Sequence, residues 1–371
     1  MCSHIFSEQI CAIRKQALAE RKERDPEKAI ASWVEEDRLI HRPGHALVII
    51  LNSPGCSWAK SSSGGCSICG YSNETSDNIT AANLKQQVKR ELVKHQGKGF
   101  ESIKLFNSGS FFDSKEIPLE AQKDILRQFQ TISSVKEIVV ETRPEYVTKS
   151  FLQKVTTILG KEISLELGMG LETSDDFIRT NYINKGFLLE DYKKAIDITK
   201  NFPKIRVRSY LLLKPPFLTE QEAINDTIQS AIDAITLGSR SISINPVNIQ
   251  NKTFLYQIWR KGLYRAPWLW SVKEVLQTIW GEIKDRNLED AVDRIVCDPS
   301  GAGSIRGTHN CKKCNKDFIR AIKKYSVSQD PKNLDNLACS CKKFWEEIKN
   351  IELATRDFSL HNLEYRSAFL N

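Results

Sequence analysis

Six short apolar runs recur along the chain, and five of them lead into stretches whose apolar residues return at helical spacing. The first run, residues 46–51 (ALVIIL), is continuous and rich in β-branched side chains, the pattern of a strand buried on both faces. The others fall at residues 103–106, 137–141, 163–169, 205–214 and 241–244. Between them lie predicted helices at 80–95, 118–131, 148–159, 189–201 and 219–237. The helix over 80–95, for example, aligns Leu84, Val88, Leu92 and Val93 on one stripe. Strict strand–helix alternation predicts an α/β fold with a parallel sheet. Six βα units are too few to close an eight-stranded barrel, and residues 294–298 offer a possible seventh strand.

Residues 1–45 read as a charged, helical lead-in, helix-forming over 17–31 with a break at Pro26, and Trp33 marks a packed point. Residues 46–300 make the sheet domain, and 301–371 a small cysteine-rich module.

The polar residues at the strand ends carry the candidate chemistry, because parallel α/β folds place their sites at the C-terminal ends of strands. The 103–106 strand runs into Asn107-Ser108-Gly109-Ser110-Phe111, a small-residue turn that lets a ligand approach the backbone, or is a plain loop. Next, Pro144 stops the third strand and leaves Glu141 and Arg143 near its end. They suit ribose hydroxyls and a carboxylate respectively, or a structural salt bridge. On the fourth strand Glu166, Gly168, Gly170 and Glu172 alternate. Glycine there marks close approach of a ligand or of another backbone, and the two carboxylates are candidate contacts. Arg206 and Arg208 share one face of the fifth strand and need anionic partners if that face is internal. The last strand ends in a polar segment containing Asn245 and Gln250. Further on, Tyr264-Arg265-Ala266-Pro267-Trp268-Leu269-Trp270 is the densest aromatic patch, suited to stacking a base or to packing two subdomains together.

The first strand feeds a Gly/Pro/Ser loop that carries Cys56, Cys66 and Cys69. Three thiolates on one loop suit iron–sulfur ligation, with the fourth iron of a cubane left open to a non-protein ligand. By spacing alone a zinc half-site or a redox pair remains open, although the loop supplies no histidine. A second set, Cys311, Cys314, Cys339 and Cys341, reads as a closed four-cysteine zinc site, with Cys297 or His309 able to replace one member. Lysines and an arginine surround it: Lys312, Lys313, Lys316, Arg320, Lys323 and Lys324. They suit RNA phosphates or a solvated face. Cys2 and Cys11 read as incidental thiols.

Composition narrows the class. No stretch approaches the ~20 apolar residues of a membrane helix, and the start of the chain has no signal-peptide core. Ten cysteines in that context favour metal ligation over disulfides and a cytoplasmic location. The net charge of +8 permits an acidic partner such as nucleic acid without identifying one.

The C-x9-C-x2-C loop after the first strand, with Tyr71 two places beyond the last cysteine, resembles the cluster loop of radical SAM enzymes. Many of those enzymes have three residues between the first two cysteines, whereas the longer spacing here is similar to the archaeosine-synthesis radical SAM proteins, relatives of the Elongator catalytic subunit. The Asn107–Phe111 turn, the Glu141-Thr142-Arg143-Pro144-Glu145 segment, the Ile183-Asn184-Lys185-Gly186 turn and the aromatic patch, with Ala266 in place of a proline, extend that resemblance over about residues 40 to 345.

The resemblance implies an open (βα)6 partial barrel. It implies a 4Fe-4S cluster on Cys56, Cys66 and Cys69, with S-adenosyl-L-methionine (SAM) chelating the open iron. Asn107, Ser108, Gly109, Glu141, Arg143 and Glu166 become SAM candidates. Glu172, Asn245, Gln250, Tyr264, Arg265 and Trp268 become substrate candidates. It further implies a lyase acting on transfer RNA, together with a lysine-transferring archaeosine synthase subunit and an external electron donor. In that reaction a lysine adduct on a 7-deazaguanine base loses hydrogen and its carbon–nitrogen bond breaks. Rival readings are a radical SAM enzyme for another tRNA base or a small metabolite, and a zinc-stabilised RNA-binding module without activity.

Overall fold

The computed structural model describes residues 6–355; Cys2 and residues 356–371 lie outside the described residues. The elements run α1 (Ser7–Ala19), β1 (Ala31–Arg38), β2 (Pro43–Ile50), α2 (Ser57–Lys60), α3 (Ala81–Lys94) and β3 (Ser102–Phe106). Then come α4 (Leu119–Gln130), β4 (Glu137–Thr142), α5 (Lys149–Leu159), β5 (Ser164–Glu172), α6 (Asp176–Ile178), α7 (Leu189–Thr199) and β6 (Ile205–Leu213). The chain continues through α8 (Glu220–Leu237), β7 (Ser241–Pro246), α9 (Phe254–Arg260), α10 (Leu269–Asp285), β8 (Arg294–Cys297), α11 (Asn315–Ser328) and α12 (Cys341–Ala354).

All eight strands form one sheet in sequence order. Strands β2 to β8 run parallel to one another. The six expected strands are β2 to β7, and β8 is the seventh. The sheet curls into an open half-barrel with helices outside. The outer face of the strands and the apolar stripes of the helices make one core, with Leu84, Val88, Ile125, Phe129, Leu152, Tyr192 and Ile232 buried in it. Each such side chain stabilises the fold by roughly 1.5–3 kcal/mol. The longest helix, α8, is fixed at both ends: Thr219 and Glu222 form a capping box, and Gly238 takes φ +119° at the C-cap.

The helical lead-in needs correction. Helix α1 occupies only Ser7–Ala19, and residues 31–38 form β1, antiparallel to β2 from Ala31–Ile50 to Arg38–Pro43. The charged sequence of β1 hides an inward-facing set: Glu35 and Asp37 reach Lys104 on β3 at 3.0 and 2.8 Å. Trp33, expected to be packed, is 40% exposed and lines the barrel cavity instead.

At the foot of the barrel the interior is closed by charge. Glu166 accepts from Arg208 (2.6 Å), Arg294 (2.7 Å) and Ser241 (2.5 Å), and Arg294 also binds Glu137. The strand arginines thus have the partners that burial demands, with Arg206 paired to Asp293. Helix α11 packs on both β8 and β1. Its C-terminal end bonds the free side of β8. Gln329 receives the Ile295 N–H (2.6 Å) and donates to the Ile295 carbonyl (3.0 Å), while Ser326 receives the Cys297 N–H (2.9 Å) and donates to its carbonyl (2.9 Å). No helix among the described residues is long and apolar enough to cross a membrane.

Candidate functional site

The C-terminal ends of the strands open into a cavity of about 920 Å3. Cys56, Cys66 and Cys69 all line it. Their loop is tied down from four sides. Arg14 of α1 donates to the carbonyls of Gly64 (3.0 Å) and Cys69 (2.5 Å). Asn184, in the left-handed conformation at φ +58°, donates to the carbonyls of Ser63 (3.0 Å) and Gly65 (2.8 Å). Its own carbonyl accepts from the Trp58 indole at 2.7 Å. Gln250 accepts from the Gly70 N–H, and Ser67 donates its N–H to the Ile183 carbonyl at 2.8 Å. Gly64 (φ +73°) has no room for a side chain: a Cβ there would lie 2.7 Å from Cα of Cys11. Cys11 therefore supports the loop through its backbone. Burial pushes the Cys56 thiol up to about 11 and raises Cys66 and Cys69 as well.

Glu116 joins this loop to the turn after β3, and no local sequence pattern singles it out. Its carboxylate accepts from the N–H of Ser57 (2.8 Å), the N–H of Ser110 (2.5 Å) and the side-chain amide of Asn107 (3.3 Å). Gly109 sits against it so closely that a Cβ would fall 1.9 Å from Oε2. Burial lifts the Glu116 carboxyl to about 7 despite the backbone N–H groups. Ser108, at φ +61°, and Gly109 face the cavity. Asn107 is fully buried, and its Oδ1 has no hydrogen-bond partner.

Glu141 and Arg143 line the cavity at the end of β4. Arg143 donates to Glu145 (2.5 Å) and to the Lys185 carbonyl (3.0 Å), and stands 5.4 Å from the Trp58 ring centroid and 5.5 Å from that of Phe187. Burial raises Glu141 to about 7 although Lys185 opposes the shift. The two glycines of β5 make room for neighbouring side chains. A Cβ on Gly168 would meet the Tyr210 hydroxyl at 2.7 Å, and one on Gly170 the Lys185 ammonium at 2.4 Å. Glu172, at φ +66°, pairs with Lys185 at 2.6 Å. Lys185 and Tyr210 belong to the cavity wall but were not picked out individually from the sequence; the glycine positions that admit them were the available signal.

Asn245 and Gln250 also line the cavity. Asn107 is not among the lining residues, and four further sequence candidates lie away from the cavity. Glu166 is sealed in the ion-pair floor with no exposed surface. Tyr264 donates its hydroxyl to the Lys214 carbonyl at 2.5 Å. Arg265 lies 3.7 Å over the Trp268 ring and donates to the His309 carbonyl at 2.8 Å, and Trp268 packs edge-on against Phe344 of α12. This aromatic segment is a packed joint between the barrel and the C-terminal module.

In that module the sulfurs of Cys311, Cys314, Cys339 and Cys341 lie within 4.8 Å of one another. Neighbouring sulfurs are 3.6, 3.6 and 3.7 Å apart. A tetrahedral ion with metal–sulfur bonds of about 2.3 Å separates its ligands by about 3.8 Å, so the four thiols fit one metal ion. Cys297 points into the barrel cavity, and His309 is held through Nδ1 to the Gly307 carbonyl at 2.8 Å, so neither joins this group. Trp270 donates its indole N–H to the Cys341 sulfur at 3.3 Å.

No family model matches the chain. Archaeosine synthase subunit beta of Methanosarcina acetivorans is 38% identical over 323 residues, covering 87% of this chain and 90% of that protein. The protein of the same name from Thermococcus kodakarensis is 37% identical over 319 residues, covering 85% of this chain and 95% of its own. Among solved structures, the archaeal Elp3 of Methanocaldococcus infernus gives a TM-score of 0.48 at 15% identity over 69% of this chain and 60% of that one. With relatives this similar along most of both lengths, the chain belongs to the archaeosine synthase subunit beta family.

Proposed function

We propose that the protein is a radical SAM enzyme of tRNA modification, and that it completes archaeosine by breaking the carbon–nitrogen bond of a lysine adduct on a 7-deazaguanine base. The observation that carries this reading is the meeting of Cys56, Cys66 and Cys69 with Gly109, Glu141 and Arg143 in one cavity at the strand ends. The donor set fits a 4Fe-4S cluster, because one loop supplies three thiols and no fourth protein ligand. The volume of about 920 Å3 is at the roomy end of small-molecule sites, suited to a cofactor beside a base. When bound, the cluster and SAM supply one-electron chemistry that removes a hydrogen atom from an unactivated carbon.

The chain's own groups then bind and orient. Ser108 and Gly109 let a ligand approach the β3 turn closely. Arg143 presents a guanidinium to a carboxylate, and Glu141 presents a carboxyl to hydroxyl or ammonium groups. Lys185 and Glu172 neutralise each other and hold the wall between the cysteine loop and β5. The apolar rings of Trp58 and Phe187 help exclude water. The Cys311 module is read as a structural zinc site. A lysine-transferring partner subunit and an outside electron donor complete the reaction.

The test is anaerobic incubation of iron-reconstituted protein with SAM, dithionite and tRNA bearing the lysine adduct, followed by nucleoside mass spectrometry. Archaeosine with 5′-deoxyadenosine is the expected result. Deoxyadenosine without archaeosine, even with the partner subunit present, overturns the substrate. Neither product from iron-loaded protein overturns the reading.

A further inference from the structure

Helix α11 carries a one-sided distribution of charge. Phe318, Ile322 and Tyr325 are fully buried against the barrel. Lys316, Arg320, Lys323 and Lys324 are exposed and fall at steps of four, three and one, which places them on the opposite stripe. Lys312 and Lys313, also exposed, continue the stripe over the cysteine module. Asp317 is the one acidic residue of α11, and its contact with Arg320 is a long 3.8 Å. None of the five lysines forms an ion pair among the described residues. Some surface cations elsewhere are paired, as Lys60 is to Asp77 and Arg90 to Glu27.

The stripe has a direction. It begins at the four-cysteine site and ends where Lys323 and Lys324 reach the wall of the catalytic cavity. From Lys316 to Lys324 it runs about 12 Å at 1.5 Å per residue. Glu36 and Asp298 also line the cavity, Asp298 within electrostatic reach of Lys323, and their charge would repel a phosphate there. A polyanion following the stripe is therefore stopped at the mouth, and a base without charge, or a cationic group, passes inward.

We propose that the outer face of α11 is the docking track for the tRNA backbone, guiding the modified base into the cavity. This rests on the reading of the protein as a tRNA-modifying enzyme. The occupant is RNA because the face is cationic and hydrophilic, without the aromatic or apolar centre that a protein partner's interface has.

The test measures binding of an unmodified tRNA transcript to the full-length, metal-loaded protein between about 50 and 200 mM salt. Each phosphate contact removed makes the log–log salt slope shallower by about 1. K316A/R320A is expected to weaken binding about tenfold at low salt and to lower the slope by about 2. The charge-conserving K316R/R320K restores both, which a merely structural role would not predict. K154A/K161A, which alters exposed lysines on and beside α5, leaves both unchanged. Wild-type affinity and slope in K316A/R320A overturn the proposal while leaving the enzymatic reading intact. So does loss of binding to the purified partner subunit in place of RNA. A wild-type protein that binds no tRNA overturns both.

Discussion

Arg294 on β8 holds the carboxylate of Glu166 on β5 at 2.7 Å across the interior of the half-barrel. Two strands, β6 and β7, lie between them along the sheet, so the contact fixes its curl. Removing one partner leaves a buried, uncompensated charge. R294A is expected to cost about 3–5 kcal/mol of stability, read by denaturant unfolding. Paired removal with hydrophobic residues of similar volume should cost much less, because the desolvation of both charges is relieved together.

The same pair predicts a pH response. Burial alone would raise the Glu166 carboxyl, but Arg208 and Arg294 together hold it well below the usual carboxylate value of 4.5. A depressed acid stabilises the fold fully above its unfolded value and loses that contribution as pH falls through the folded one. Stability of the wild type should therefore drop below about pH 4.5, and E166Q should be less stable at neutral pH with a flatter acid limb. Thermal melts across pH 7 to about 3 check this.

Glu116 gives a prediction about the cysteine loop. Substitution by alanine leaves the N–H groups of Ser57 and Ser110 without their acceptor. A loss of about 1–3 kcal/mol is expected, with faster release of iron from reconstituted protein. E116Q retains an acceptor oxygen and should retain iron better. Equal iron retention in E116A and wild type would remove Glu116 from the site.

Cys56→Ala should abolish the brown absorbance and 5′-deoxyadenosine formation, while C311A/C314A should leave the absorbance and lose about one equivalent of zinc. Chelation of that metal should lower the melting temperature, since the four cysteines tie the start of α11 to the start of α12. Iron lost together with zinc in a folded C311A/C314A protein would show the two sites to be coupled.

The sequence exposed what depends on local pattern. Strands β2 to β7 were legible as short apolar runs, and their ends supplied Cys56, Ser108, Glu141, Arg143, Glu172 and Asn245, which the fold does gather. It concealed what depends on distant partners. β1 reads as charged surface because its inward residues Glu35 and Asp37 are matched by Lys104, about 70 positions on. Glu166 looked like a ligand contact because glycines follow it, yet its partner Arg294 lies 128 residues downstream. The Tyr264–Trp270 patch has the composition of a base-stacking surface, and only the position of α12 makes it a joint.

The bonds from Ser326 and Gln329 to β8 have a consequence for solubility. A half-barrel ends in strands whose outer backbone groups are unpaired, and such strands recruit other chains. Here two side chains of α11 occupy the N–H and C=O groups of Ile295 and Cys297 as a ninth strand would. An S326A/Q329A protein would keep its cysteines and cavity but offer a sticky rim, and its first failure would be self-association in concentrated solution rather than loss of chemistry.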